Sequence, residues 1–414
     1  MMAMFGRNLD SPLMSSSVRA PWLGQVADGL VVAVAVSLPW STSATAILIV
    51  LWLLAFFPTF DAAALRRELL SPAGGLPVLL WGAGALGMLW ADVSWSERLD
   101  GLSGFHKLLL IPLLLAQFRR SAHGRWVVVG FLASSTVLLA VSWALVLTPG
   151  LIWRGKASPG VPVKDYILQS EIFAICAFGL IGKAAELWYA RRRWALGLLV
   201  VAAAFIANIG YVATARTTLV VMVALLLLFG LRQFGWKGAL GVSLSGATLA
   251  SAIWVSSPYL RERVSAAVEE VQTYGSSKVD TSVGLRFEYW KRSLALIAEA
   301  PVIGHGTGTI PQLFRRDAAP DIDVMLLTTN PHSQILTVAV QLGALGAGVL
   351  IAMWVAHFAL FRGDTTAAWF GLVVVTYNVV SSLFNSHLFD FSQGWLYVFG
   401  VGLTGGMVLR RTAR

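Results

Sequence analysis

Long apolar runs follow one another along this chain, and short polar stretches separate them. Each run is close to the ~20 residues that a helix needs to cross a membrane. None alternates like a barrel strand, and only helices or closed barrels satisfy their backbone groups in lipid. We therefore predict an all-α polytopic membrane protein with about twelve spans, at residues 26–40, 42–59, 76–91, 105–118, 125–147, 166–188, 193–209, 215–232, 237–255, 332–359, 365–384 and 393–410.

One long polar segment interrupts the runs and defines the predicted organisation of the chain. Inside it, PYLRERVSAAVEEVQTY and TSVGLRFEYWKRSLALIAEAP each keep a helical apolar stripe. Such helices lie flat on a bilayer or pack on a membrane domain. The predicted parts are a tail at 1–25, nine spans within 26–255, the long segment at 256–331, three spans within 332–410 and a tail at 411–414.

Composition agrees with a chain that lies mostly in lipid. Of the 414 residues, 57% are hydrophobic and 13% are charged, whereas soluble domains carry roughly 25% charged residues. Residues 29–46 resemble a signal peptide, but the apolar run resumes directly afterwards, which favours an uncleaved pair of helices. The single cysteine, Cys176, excludes a disulfide or a thiolate metal cluster within one chain.

The net charge of +10 raises the question of nucleic acid, but its distribution argues against that partner. Most basic residues lie in every second short loop between the spans, and these loops share one side of the membrane. The positive-inside rule assigns that side to the cytoplasm. Both termini are then cytoplasmic, and residues 256–331 face the periplasm of a Gram-negative bacterium. The short loops of that outer side hold only Arg98, Arg154, Lys156 and Lys164.

Two arginines are the main candidates for binding an anion. Arg216 opens a predicted span, and Arg286 lies in the first turn of the second amphipathic helix. A cation is disfavoured at a helix N-terminus, and an anionic ligand would offset that cost. Ordinary surface or snorkelling arginines are the alternative. Arg154, Lys156 and Lys164 add positive charge on the same side and are weaker candidates.

Two further motifs in the long segment suggest chemistry at first sight. Gly304, Gly306 and Gly308 alternate in PVIGHGTGTI, but no strand precedes them and no P-loop lysine follows. We interpret them as a sharp turn that lets backbones approach each other. Asp321 and Asp323 have the spacing of a metal-binding pair, but we interpret them as a solvated acidic turn.

His332 is the candidate general base, because neutral imidazole accepts a proton near pH 7. We expect Asn330 to be the N-cap of the tenth span, and Asn330 and Gln334 to orient a hydroxylated substrate. His387 and Asp390 lie at the outer end of the last hairpin, where either could orient His332. A zinc site of His305, His332 and His387 remains an alternative, although widely spaced histidines are weak support.

These features together resemble the O-antigen ligase and polymerase superfamily, and more narrowly the O-antigen ligases. The resemblance covers most of the chain, with about a dozen spans and a large late periplasmic loop. Its motifs are Arg216 at the start of a span, Arg286 in GLRFEYWKRSLALI, the turn PVIGHGTGT, and His332-Ser333 in NPHSQIL.

The resemblance implies an inverting, metal-independent glycosyltransferase without a cofactor. Its donor would be O-antigen polysaccharide on undecaprenyl diphosphate, and its acceptor a sugar of the lipid A–core oligosaccharide. Arg216 and Arg286 would hold the diphosphate, His332 would deprotonate the acceptor, and the turn with Gly304 and Gly306 would position the loop. An O-antigen polymerase and a protein O-oligosaccharyltransferase are the nearest alternatives. A polysaccharide or lipid transporter is the alternative from another class, although we find no internal repeat.

Overall fold

The computed structural model describes residues 21–148, 150, 160–273, 282–316 and 330–412. Within these ranges the chain forms α-helices, two short 3-10 helices at Phe57–Thr59 and His106–Leu109, and no strand. The α-helices are α1 Pro21–Ser37, α2 Thr42–Phe56, α3 Ala62–Leu69, α4 Pro72–Gly87, α5 Trp95–Ser103, α6 Leu110–Arg120, α7 Gly124–Leu147, α8 Tyr166–Tyr189, α9 Trp194–Tyr211, α10 Arg216–Ser256, α11 Pro258–Thr273, α12 Ser282–Glu299, α13 Ile310–Arg316, α14 Gln334–Leu360, α15 Thr366–Ser381 and α16 Phe391–Thr412.

Six of the described helices are long and apolar enough to cross a membrane, and up to eight spans result if each of two bent helix pairs counts as one. The protein is therefore a multi-pass, all-helical membrane protein by its helix composition, and the count of twelve spans stays a prediction. Agreement along the chain is close, since the run predicted at 125–147 is α7 and the run predicted at 166–188 is α8. Cys176 is buried within α8.

The two spans predicted at 215–232 and 237–255 are the arms of a tight hairpin within α10. Gly235 has φ +68°, outside the helical range. The Cβ position of Gly230 lies 2.6 Å from the Cα of Ala239, and that of Gly246 lies 2.2 Å from Leu226 Cδ2. Such close approaches across Gly235 require antiparallel arms, because residues this far apart in one straight helix cannot touch.

Helix α14 covers the span predicted at 332–359, and it is also broken. Gly343 has φ +61°, and the Cβ position of Gly346 lies 3.2 Å from Val338 Cγ1. Eight residues of straight helix would separate these groups by about 12 Å, so the chain turns back at Gly343. The apolar pattern continues through the break. The positive φ at the break is a conformation that glycine adopts without strain.

The turn at 301–308 docks on this break. Ala344 N donates to Pro301 O at 2.8 Å and Leu345 N to Val302 O at 3.2 Å, so backbone donors freed by the break are satisfied. The Cβ position of Gly304 lies 2.4 Å from the backbone of Gln341. Close backbone approach was the predicted reason for these glycines, and the structure confirms it.

Both predicted amphipathic helices are present, as α11 and α12. Helix α12 packs beside the first arm of α14 through a small apolar cluster that is separate from the main core. Helix α13, which the sequence pattern did not reveal, completes this cluster. Its buried members are Tyr289, Leu296, Ile310, Leu313, Phe314 and Val340.

Candidate functional site

His332 lies in the short connection between the 256–331 segment and α14, in an unusual backbone conformation. Its φ is +54°, and its N–H donates to Asn330 Oδ1 at 2.8 Å. Helix α14 begins two residues later at Gln334, with Ser333 in the N-cap position. The prediction of Asn330 as N-cap was therefore wrong, because its side chain closes a turn around His332 instead.

The imidazole of His332 is held by a side chain from the α15–α16 connection. Its Nδ1 lies 3.0 Å from Asn385 Oδ1, which also accepts from Asn330 Nδ2 at 2.9 Å. Asn385 Nδ2 donates to Asp390 Oδ2 at 3.3 Å, and His387 Nδ1 lies 3.0 Å from the same oxygen. Asp390 is thus linked to His332 by hydrogen bonds through Asn385, and its negative charge also favours the protonated imidazole.

This arrangement selects one tautomer of neutral His332. Because Asn385 faces the imidazole with a carbonyl oxygen, Nδ1 must carry the hydrogen. The lone pair is then on Nε2. The orientation of the Asn385 amide is fixed by its other partners, since Asn330 supplies a donor to the oxygen and Asp390 an acceptor to the nitrogen.

Aromatic side chains of α12 pack against His332. The Tyr289 ring stacks on the imidazole with centroids 5.7 Å apart and planes 16° apart, and Trp290 Nε1 donates to the His332 carbonyl oxygen at 3.4 Å. Burial lowers the pKa of His332 below its usual value, and the positive charge of Arg286 lowers it further, while the Asn385 hydrogen bond opposes both. The imidazole is therefore mainly neutral at pH 7.

The two predicted arginines lie within electrostatic range of each other, and Arg286 lies within electrostatic range of His332. Burial lowers the pKa of Arg286, and the charge of Arg216 is the next largest cause. The charge of Arg286 in turn lowers the pKa of His332. Electrostatic interactions thus link three side chains that are remote in sequence, and their chemical roles stay predictions.

Glu270 of α11 is a neighbour that the sequence pattern did not single out. It accepts two hydrogen bonds from Arg216, from Nη2 to Oε1 at 2.7 Å and from Nη1 to Oε2 at 3.0 Å. The side chain of Arg286 makes no hydrogen bond or ion pair with another described residue. One arginine of the pair is therefore engaged by a carboxylate, and the other offers its guanidinium to the site.

Gln334 and the glycine turn support the site but do not face into it. Gln334 is completely buried, and its Oε1 accepts from Leu388 N at 3.1 Å, so it anchors the α15–α16 connection and is not open to a substrate. The N–H groups of residues 304–308 are all engaged, so these positions have no spare donor to cradle a phosphate. The N–H groups of the turn donate to other backbone or side-chain oxygens: His305 to Val340 O, Gly306 to Gln341 O, Thr307 to Gly87 O and Gly308 to Gln341 Oε1.

Four further candidates, Arg154, Lys156, Asp321 and Asp323, fall outside the described residues. Lys164 is tied to Leu38 O at 2.6 Å and Ser392 Oγ at 3.0 Å, and burial lowers its pKa to about 8.

The zinc alternative does not form among the described residues, where no three His, Cys, Asp or Glu side chains gather as a metal site. His305 instead places its Nε2 2.8 Å from Leu296 O.

Asn385 is the residue that sequence reasoning missed, and its role as a positioning residue is testable. We expect Asn385→Ala to lower kcat/KM for the proposed transfer about a hundredfold, the order of effect that a misplaced catalytic group has. Asn385→Asp should restore most of the rate while raising the pKa of His332, because a carboxylate favours imidazolium. Measuring the pH dependence of kcat/KM in both variants checks this. An unchanged profile in Asn385→Asp would contradict the contact.

Helices that span a membrane, together with a titratable and cationic cluster where they meet a loop segment, define a polytopic membrane protein with a polar site at one end of the bundle. Residues 202–351 match the family model described as "Wzy_C: O-Antigen ligase", so this part of the chain is similar to the O-antigen ligase family. The matched region includes Arg216, Arg286 and His332 but ends before Asn385 and Asp390.

A curated relative of uncharacterized function from Haemophilus influenzae is also similar to this chain. The two are 28% identical over 132 residues, which is 30% of this chain and 33% of the relative. The match therefore spans only a third of that protein.

Proposed function

We propose that this protein is an O-antigen ligase, which transfers polysaccharide from undecaprenyl diphosphate to a sugar hydroxyl of lipid A–core oligosaccharide. The observation that carries the proposal is the His332–Asn385 hydrogen bond beside two arginines. It directs the basic Nε2 of a neutral imidazole away from Asn385. A base for the acceptor and cations for the diphosphate are the two requirements of this reaction.

In the proposed step, His332 Nε2 takes the proton of the acceptor hydroxyl as its oxygen attacks the anomeric carbon of the donor sugar. The new bond is C–O to the acceptor. The bond from the anomeric carbon to the diphosphate oxygen breaks, and its electron pair leaves with lipid diphosphate. Attack opposite to the leaving group inverts the anomeric centre, and the imidazolium then returns its proton to water.

The arginines compensate the negative charge that collects on the departing diphosphate. Guanidinium groups match phosphate oxygens with paired N–H donors. Arg286 is half-buried and within electrostatic range of His332, and reduced solvation there strengthens its interaction with charge. These cations supply the stabilisation for which a metal ion is used in other phosphate-transfer sites, so the proposal requires no metal.

In the proposed orientation this site is on the periplasmic side of the inner membrane. The chain crosses that membrane twelve times, and both termini are in the cytoplasm. The excess of Lys and Arg in the short loops on the other side of the membrane supports this orientation. The site is then on the side where a lipid-linked polymer and the lipid A–core acceptor are both found.

A reaction with purified protein, lipid-linked polysaccharide and lipid A–core acceptor tests the function. We expect a higher-mass lipopolysaccharide product, and we expect its formation to continue with a metal chelator present. Absence of product with both substrates present would overturn the assignment, and loss of product only with chelator would overturn the metal-independent step.

Deleting the gene distinguishes the ligase from the polymerase of the same superfamily. Loss of a ligase leaves lipid-linked polymer beside uncapped lipopolysaccharide core. If long polymer is missing instead, the protein is the polymerase.

The pH dependence of transfer follows from the lowered pKa of His332. The neutral imidazole is the active form, so activity is lost as pH falls through that pKa and is full above it. Because burial and Arg286 hold the pKa below its ordinary value of about 6.5, we expect kcat/KM to be level at pH 7 and to fall only below about pH 6.5. A rate that still rises steeply above pH 7 would contradict this environment.

A further inference from the structure

Three arginines line one cavity at the opposite end of the bundle from His332. The cavity has a volume of about 210 Å³ and is lined by Ser121, Ala122, Arg125, Met407, Arg410 and Arg411. Helix α16 begins next to Asp390 and ends here, so its 22 residues separate the cavity from the His332 network by about 33 Å. The cavity is therefore a separate place on the molecule.

Within the described parts of the chain, the positive charge of this cavity is offset from a distance by Glu186, which lies within electrostatic range of Arg411. Arg410 Nη1 donates to Ser121 O at 2.9 Å, but none of the three arginines has a carboxylate partner there. The nearby Arg119 and Arg120 differ, because they pair with Glu68 at 3.0 Å and Asp61 at 3.3 Å. No acidic residue lines the cavity.

We propose that this cavity binds a phosphate group, either in the headgroup of an anionic phospholipid or as a soluble phosphate. Converging guanidinium groups suit phosphate oxygens, and basic clusters at the ends of spans attract anionic lipids. The exposed Trp126 ring, with the Arg125 guanidinium 5.1 Å from its centre, is typical of a membrane interface. This site is independent of the proposed transferase activity.

Native mass spectrometry of the full chain tests the site with phosphatidylglycerol, phosphatidylcholine and inorganic phosphate as probes. The double variant Arg125→Gln/Arg411→Gln should bind phosphatidylglycerol about 25-fold less tightly, because each arginine contributes about 1 kcal/mol to the binding free energy. Arg191→Gln/Arg192→Gln is the control, since it removes the same charge from exposed residues between α8 and α9 at the same end of the bundle.

Each outcome decides the proposal. A selective loss in the Arg125/Arg411 variant supports it. If inorganic phosphate binds and competes while the lipid shows no selective loss, the source is soluble phosphate. Equal losses in both double variants, or no binding of either anion by the wild type, would overturn it.

A second, independent observation concerns Glu270, which occupies the donors that an anion would use. Its carboxylate accepts from Nη1 and Nη2 of Arg216 and from Val283 N at 3.2 Å, in the first turn of α12. It also lies within electrostatic range of Arg286. Guanidinium groups and helix N-terminal N–H groups are the usual donors to phosphate.

We infer that Glu270 is an internal competitor for the diphosphate, which the donor must displace from Arg216. This inference rests on the proposed function. The ion pair is 26% and 21% exposed at its two side chains, so water screens it and a diphosphate with more charge and more oxygens can replace it. Glu270 thereby keeps Arg216 compensated until the donor arrives.

Glu270→Gln distinguishes competition from a merely structural contact. We expect the KM for the lipid-linked donor to fall about fivefold, the factor for an ion pair of about 1 kcal/mol, with kcat maintained. Glu262→Gln, an exposed glutamate of the same helix α11, should change neither. A raised KM or a lowered kcat in Glu270→Gln would show that Glu270 positions Arg216, and the inference would fail.

Binding of undecaprenyl diphosphate, measured without turnover, separates this inference from the proposed function. Tighter binding in Glu270→Gln without any transfer by the wild type would retain the competitor and reject the transferase. Transfer by the wild type with weaker binding in Glu270→Gln would reject the competitor alone.

Discussion

Replacing His332 by asparagine is expected to lower kcat for glycan transfer by about 10²–10⁴, the usual contribution of a positioned general base. The reason is the loss of Nε2, the one basic atom that the Asn385 contact leaves available on His332. The KM for the donor should change little, because the arginines and not the imidazole bind the diphosphate. Steady-state kinetics with purified lipid-linked polysaccharide measure both quantities.

Asparagine is the appropriate replacement because of the backbone at this position. His332 has φ +54°, a conformation that costs most residues about 1–2 kcal/mol but that asparagine adopts readily. An alanine variant would combine loss of the base with strain in the turn. The asparagine variant should therefore keep the wild-type melting temperature, and near-wild-type kcat in such a folded variant would remove His332 from the mechanism.

Local patterns were sufficient to predict most of the helices. The ends of α7 and α8 fall within about a residue of their predicted positions, and both amphipathic helices of the long segment are present. These features depend on apolar runs, helical periodicity and turn residues, which neighbouring positions in the sequence determine. The meeting of Arg216, Arg286 and His332 followed from assigning their predicted helix ends to one side.

The parts that could not be predicted depend on long-range contacts. Asn385 reaches His332 across 53 residues, and Glu270 reaches Arg216 across 54. No local sequence pattern marks either pair. The polar residues Asn385, Ser386 and His387 after α15 were the one sign that this connection could be part of a site. The reversal at Gly343 was hidden for a different reason, because the sequence is apolar on both sides and the 301–308 turn satisfies the broken backbone.

Arg286→Gln is expected to lower kcat/KM by about 10²–10³, comparable to the loss of one donor that stabilises charge in a transition state. Arg286→Lys should recover only part of this loss, since an ammonium group keeps the charge but not the paired donors. Arg292→Gln is the matched control on the same helix, because Arg292 pairs with Glu288 at 3.0 Å. The control should remain within about twofold of the wild type, since Glu288 holds Arg292 within its own helix and such i,i+4 pairs contribute only about 0.3–0.5 kcal/mol.

The same variant tests whether Arg286 acts on His332 as well as on the donor. The charge of Arg286 lowers the pKa of His332, so its removal in Arg286→Gln should raise that pKa and move the acidic limb of the pH profile to higher pH. Arg286→Lys should leave the limb near its wild-type position, because a positive charge remains. A structural defect would reduce the rate at all pH values without moving the limb, and that result would show that Arg286 only supports the fold.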